Sequence, residues 1–153
     1  MSTHKKILLI EDDENKRTSV LNVLRRSLRD SLFETVHSVR KAIDALDRQP
    51  FDLIVADMSL PTFDIQVRER GGTPRPFGGI EVFDHLDRIE SSTPVIVVTS
   101  YPVLTDGKKS LSFHDLETQL KRDFPKNFSG LVYFDSAYAN WEHELIDKVT
   151  AVF

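Results

Sequence analysis

Three short apolar runs in this 153-residue chain end in oxygen-bearing side chains. Ile7-Leu8-Leu9-Ile10 runs into Glu11-Asp12-Asp13-Glu14. Leu53-Ile54-Val55-Ala56 runs into Asp57, and Pro61 stops the stretch a few residues on. Pro94 to Val98 runs into Thr99-Ser100. None of the runs alternates with polar residues, and each holds isoleucine or valine. That is the pattern of a strand buried on both faces of a helix-covered parallel sheet. Ligands of open α/β sheets bind at the carboxyl ends of such strands. A lone Asp at a strand end usually does no more than cap the next turn. Acids also suit a helix N-terminus. Capping of that kind accounts for Asp13 and Glu14, and less well for Glu11 and Asp12.

If the first and third strands are neighbours, their ends lie about 4.8 Å apart. Glu11, Asp12 and Asp57 then crowd one pocket, and repulsion raises some of their pKa values unless a cation sits among them. Oxygen-only ligands suit Mg²⁺, which takes one or two carboxylates and keeps several waters. A carboxylate beside Mg²⁺ can attack a phosphoryl group, with the metal offsetting the repulsion of the incoming oxygens. The Thr99 hydroxyl can donate to one of those oxygens.

The elements that must position these groups follow a βα alternation. Asn15 to Leu28 has Val20, Leu21, Val23, Leu24 and Leu28 at helical spacing, with Lys16, Arg17, Arg25 and Arg26 expected mostly on the opposite side. Leu32 to His37 is a more polar strand suited to a sheet edge. Ser38 caps a helix over Val39 to Arg48, which Gln49-Pro50 ends. The helix from Gly79 to about Glu90 follows a loop over 62–79 rich in proline, glycine and arginine. A second long loop is expected over 101–112, with a turn at Asp106-Gly107. A helix from Phe113 to Phe124, a strand at Leu131 to Phe134 and a helix from Ala137 to Val152 complete the pattern. The expected fold is α/β: five strands alternating with five helices, with right-handed crossovers.

Composition narrows the functional classes. The chain is 40% hydrophobic and 29% charged, as in an ordinary globular protein. A net charge of −4 disfavours nucleic acid as the main partner. With no cysteine, disulfide and thiol chemistry are excluded. No run is long and apolar enough for a membrane span, and no signal peptide fits the first residues, so a cytoplasmic protein is expected. His4, His37, His85, His114 and His143 lack metal-ligand spacing and are expected at surface or edge positions. Trp141 shares a helix face with Leu145 and is expected to pack.

The three motifs together resemble the receiver domains of two-component response regulators. The segment from Ile7 to Asp13 is similar to that family's first strand with its acidic pair, Asp52 to Pro61 to its phosphoacceptor segment, and Pro94 to Ser100 to its fourth strand with a switch hydroxyl. The resemblance covers nearly the whole chain and implies a flavodoxin-like doubly wound parallel sheet of order 2-1-3-4-5. It implies that Asp57 accepts a phosphoryl group from a sensor histidine kinase or phosphotransfer protein. It further implies Mg²⁺ held by Asp12 directly, Glu11 through water, Asp57, and Ser59 through its backbone carbonyl. Thr99 then turns toward the phosphoryl group. Ser59 and Tyr101 stand where the family tunes the lifetime of the acyl phosphate. A stand-alone receiver with no effector domain is expected, signalling through a downstream protein target and without enzymatic turnover. Homodimerisation is open on family grounds.

One family feature is missing. The lysine expected at the end of the fifth strand, where it pairs with the phosphoryl group, is replaced by Phe134 or Asp135, depending on alignment. The aromatic switch expected just before it falls on Leu131 or Val132, with Tyr133 near the strand end. Candidate substitutes for the cation are Lys108 and Lys109 in one long loop and Arg68, Arg70 and Arg75 in the other, and the loop from Thr62 to Gly78, which leaves the strand end carrying Asp57, could form a lid. Two rival functions stand beside a phosphorylated receiver. One is a receiver-like binding module that never carries phosphate. The other is a small Mg²⁺-dependent phosphatase with Asp57 as nucleophile. Such phosphatases usually place an acid two residues after the nucleophile, where this chain has Ser59.

Overall fold

The computed structural model describes residues 4–64, 77–100 and 103–153. In chain order the elements are β1 (Lys6–Ile10), α1 (Glu14–Ser27), β2 (Leu32–Val36), α2 (Val39–Arg48), β3 (Leu53–Ala56), α3 (Gly78–Arg88) and β4 (Val95–Thr99), then β5 (Val103–Asp106), β6 (Lys109–Ser112), α4 (Phe113–Asp123), β7 (Phe128–Tyr133) and α5 (Asn140–Val152). Five of these strands form one sheet in the order β2-β1-β3-β4-β7, and every pair within it is parallel. This is the flavodoxin-like order, with the hairpin β5–β6 inserted before the last helix–strand unit.

The unbroken apolar runs serve two cores. Leu8, Ile10, Ile54 and Ala56 face a cluster with residues of α2, α3 and α4. Ile7, Leu9, Leu53 and Val55 face a second cluster with residues of α1 and α5. Successive strand residues point to opposite faces, so a strand covered on both sides has no polar position to spare. The register sets the site. Ile10 pairs with Ala56 across β1 and β3, so Glu11 and Asp57 leave neighbouring strands at the same level. Asp57 N–H donates to the Ile10 carbonyl at 3.1 Å and fixes that level.

The region expected as a loop over 101–112 contains an antiparallel hairpin instead, with Val103 opposite Ser112 and Asp106 opposite Lys109. Gly107 opens its two-residue turn at φ +61°, a conformation glycine takes at little cost. Leu104 and Leu111 pack into the larger core, which ties the hairpin to the body of the protein. The segment expected as a lid falls mostly on residues 65–76, outside the described residues, as do Arg68, Arg70, Arg75 and Tyr101.

His85 also departs from expectation. It is buried on α3, with Nε2 2.8 Å from Asp47 Oδ1 on α2, so it joins two helices rather than lying at the surface. Trp141 packs in the α1–α5 core as expected.

Candidate functional site

Glu11, Asp12, Asp57 and Ser59 line one cleft of about 410 Å³ at the carboxyl edge of the sheet. Carboxylate oxygens of Glu11, Asp12 and Asp57 lie within 4.8 Å of one another. Asp57 and Glu11 are buried and Asp12 is half-buried. Thr99 ends β4 and is fully buried, while its neighbour Ser100 lines the cleft. The groups singled out by the three strand ends therefore meet at one edge.

The cleft holds a cation that the sequence reading put on the wrong side of its helix. Lys16 Nζ lies 2.7 Å from Glu11 Oε1 and 3.1 Å from Asp57 Oδ2, and its side chain is 3% exposed. The local cause is the start of α1. Asp13 is the N-cap, and its side chain accepts from Lys16 N–H. Lys16 is thus in the first turn, where side chains slant back toward the helix N-terminus. That slant carries Nζ over the ends of β1 and β3. The helix dipole disfavours a cation there, and two buried carboxylates outweigh it. The missed signal was spacing. Lys16 stands four and seven residues before Val20 and Val23, in the buried stripe of the helix.

Contacts around the carboxylates are specific. Asp57 Oδ1 accepts from Met58 N–H at 2.7 Å, which leaves Oδ2 toward Lys16. Glu11 Oε2 accepts from Asp13 N–H at 3.1 Å. Arg17 takes no carboxylate here; its Nη1 donates to the Glu11 carbonyl at 3.1 Å. Burial, and then the charge of Asp57, push the Glu11 carboxyl up to about 8, against the pull of Lys16 and the Asp13 N–H. Burial also raises Asp57, opposed by Lys16 and by backbone N–H groups of Met58 and Ser59. For Lys16, burial alone would favour the neutral amine. The charges of Asp57 and Glu11 outweigh it, so the ammonium is held above its ordinary value.

With all three carboxylates ionised, the cluster and its one ammonium carry a formal excess of two negative charges, the charge of one divalent cation. The donors are all oxygen, and the charge of Asp57 adds to burial in raising the Glu11 value. The residues therefore fit a hard cation such as Mg²⁺. Glu11, Asp12 and Asp57, with Ser59 in the same cleft, would hold it.

The raised Glu11 value has a consequence for stability in chelator. Between about 4.5 and about 8 the folded protein keeps a proton that the unfolded chain has lost. This contribution is complete below the lower value and is lost as pH rises through the upper one. Denaturant unfolding in chelator should thus show stability falling from pH 5 toward pH 8, and Glu11→Gln should flatten that slope. An unchanged slope in the variant would show that Glu11 ionises normally.

The remaining candidates fall elsewhere. Lys108 is exposed in the hairpin turn, and the side chain of Lys109 is outside the described residues. Asp135 Oδ1 folds back on Ala137 N–H at 2.9 Å. Phe134, not Asp135, faces the cation: Lys16 Nζ lies 5.9 Å from its ring centroid. The Phe134 ring also packs on Trp141, with ring centroids 4.8 Å apart. Leu131 is buried, and Tyr133 meets Phe113 edge-on at 6.3 Å.

The chain belongs to the response regulator receiver domain family, whose model matches residues 7–122. Among curated proteins it is similar to the Detocs response regulatory protein DtcB of Enterobacter cloacae (strain JD6301), at 26% identity over 95% of this chain and 98% of the relative. Among solved structures it resembles the response regulator protein TrrA from Thermotoga maritima in complex with Mg²⁺-BeF, at TM-score 0.61 and 17% identity, covering 97% of this chain and 99% of that one. A sensor protein from Polaromonas sp. JS666 matches at TM-score 0.65 and 17% identity, covering 98% and 96%. These structural likenesses bear on the fold. Among the described residues, no helix is long and apolar enough to cross a membrane.

Proposed function

We propose that this chain is a phosphoacceptor receiver, in which Asp57 takes a phosphoryl group with Mg²⁺ bound by Asp12, Glu11, Asp57 and the Ser59 carbonyl. The observation that carries the reading is the position of Asp57: buried, at the end of a central strand, within 4.8 Å of two further acids. Met58 N–H holds one oxygen and orients the other into the cleft. Bound Mg²⁺ would supply charge neutralisation for the incoming phosphoryl oxygens. The fully buried Thr99 stands one residue before the cleft-lining Ser100, and in this reading its hydroxyl turns toward the phosphoryl group. The donor in this reading is a sensor histidine kinase or phosphotransfer protein, and output goes to a downstream protein in the cytoplasm. It involves neither nucleic acid nor turnover of a substrate. The named relative is itself called a response regulatory protein, and a fold neighbour was solved with Mg²⁺-BeF; both agree with this reading.

Incubation with acetyl phosphate and Mg²⁺ should add one phosphate-sized mass, and chelator should prevent it. Tight Mg²⁺ binding with no mass gain from either acetyl phosphate or a cognate kinase would instead support a binding module that never carries phosphate.

A further inference from the structure

The end of β7 offers no cation, yet the cleft has one, supplied from the opposite direction. We infer that Lys16 pairs with the phosphoryl oxygens once Asp57 is modified, so that α1 rather than the last strand delivers this charge, and that Phe134 and Trp141 register the pairing. The inference rests on the reading of Asp57 as the acceptor.

The geometry is direct. Asp57 Oδ1 is tied to Met58 N–H, so Oδ2, 3.1 Å from Lys16 Nζ, is the oxygen free to attack. Its lone pair forms the new O–P bond. The P–O bond of an acyl phosphate donor, or the P–N bond of a phosphohistidine, breaks, and its electron pair leaves with the donor. Asp57 ends as a mixed anhydride carrying a phosphoryl dianion, with no proton retained. The oxygens of that group arise next to Nζ. An ammonium carries three N–H donors. Nζ pairs with Glu11 at 2.7 Å and Asp57 at 3.1 Å, so two carboxylates share its three donors. The carboxylate that Lys16 now neutralises loses its charge to the anhydride, so the ammonium shifts from Oδ2 to the phosphoryl oxygens.

Phe134 explains how such a shift can be seen. Its ring is within reach of both groups, with Lys16 Nζ 5.9 Å and the Trp141 ring 4.8 Å from its centroid. The chain has one tryptophan. Movement of the ammonium changes its electrostatic contact with the Phe134 ring, and that ring packs on Trp141. A cleft of about 820 Å³ opens there between α1 and α5, lined by Arg26, Phe134, Trp141 and Glu142 among others. Arg26 and Glu142 pair across it at 2.8 Å. The signal thus reaches the α1–α5 face.

The test compares wild type, Lys16→Gln and the double variant Lys16→Gln/Phe134→Lys, which returns a lysine to the last strand. Each is treated with Mg²⁺ and acetyl phosphate, followed by intact mass and Trp141 fluorescence. Mg²⁺ affinity is measured separately by calorimetry. Lys16→Gln should bind Mg²⁺ at least as tightly as wild type, since a neighbouring positive charge is gone. It should accept the phosphoryl group roughly tenfold to a hundredfold more slowly and lose the fluorescence change. The double variant should regain much of the rate. Should Lys16→Gln not fold, Lys16→Gln/Glu11→Gln is compared with Glu11→Gln alone, because the second change lowers the charge left behind. A wild-type rate with a wild-type fluorescence change in a folded Lys16 variant overturns the inference and leaves Lys16 a structural counterion. Failure of the wild type itself to gain mass overturns the acceptor reading beneath it, which is a separable result.

Discussion

Lys16→Met should lower the stability of the metal-free protein by about 3–5 kcal/mol, the usual cost of removing one partner from a buried ion pair. The side chain is almost fully enclosed and contacts two carboxylates. Without it, Glu11 and Asp57 face each other with no counter-charge, and relief comes only through proton uptake or unfolding. The midpoint of thermal unfolding should fall by roughly 6–20 °C for a chain of this length. Added Mg²⁺ should recover part of the loss, because a dication restores positive charge among the same oxygens. Lys121 provides the contrast. It is 66% exposed and 3.8 Å from Glu117, so Lys121→Met should change stability by less than about 1 kcal/mol. Equal effects at the two positions would mean that Lys16 is not enclosed in solution.

Gly79→Ala should destabilise the protein and slow phosphorylation, although helix propensity alone predicts a gain of about 1 kcal/mol. A Cβ at Gly79 would lie 2.6 Å from the Asp57 carbonyl oxygen and 2.9 Å from Met58 Cα. Both are backbone atoms of the segment carrying Asp57, and Gly79 N–H already donates to the Met58 carbonyl at 2.8 Å. The start of α3 is therefore pressed against the turn that positions Asp57. Accommodating the methyl group must shift that turn, at about 1–3 kcal/mol, and with it the carboxylate. Gly107→Ala in the hairpin turn is the control. A Cβ there meets nothing within 4 Å, but the φ of +61° is strained for alanine. It should cost about 1–2 kcal/mol and leave phosphorylation unchanged. A stabilised Gly79→Ala would show that the contact relaxes freely.

The sheet was legible because its signals are local and strong. Unbroken apolar runs of four to five residues can only be buried strands when helices flank them. The acids at their ends mark the carboxyl edge without further information. Ser38 does cap α2 as read, and Ser112 caps α4. The hairpin was missed for a different reason. Asp106-Gly107 was recognised as a turn, but the short flanks Val103-Leu104-Thr105 and Ser110-Leu111-Ser112 alternate over too few residues to stand out. Their pairing depends on Leu104 and Leu111 finding the core. Lys16 was missed because a lysine in an apolar stripe reads as an error in the stripe. Only the register of β1 against β3 reveals two carboxylates waiting at its tip. The question left by the last strand, Phe134 or Asp135, was likewise one of side-chain direction. Asp135 satisfies a backbone N–H of its own turn, and Phe134 takes the inward place.

The most direct test of Asp57 as acceptor is mass spectrometry of wild type and Asp57→Asn after treatment with Mg²⁺ and acetyl phosphate, with the modified peptide mapped. A phosphate-sized gain in wild type alone, located on the peptide containing Asp57, is the predicted result. The same gain in Asp57→Asn, or a gain mapped to another residue, would contradict it.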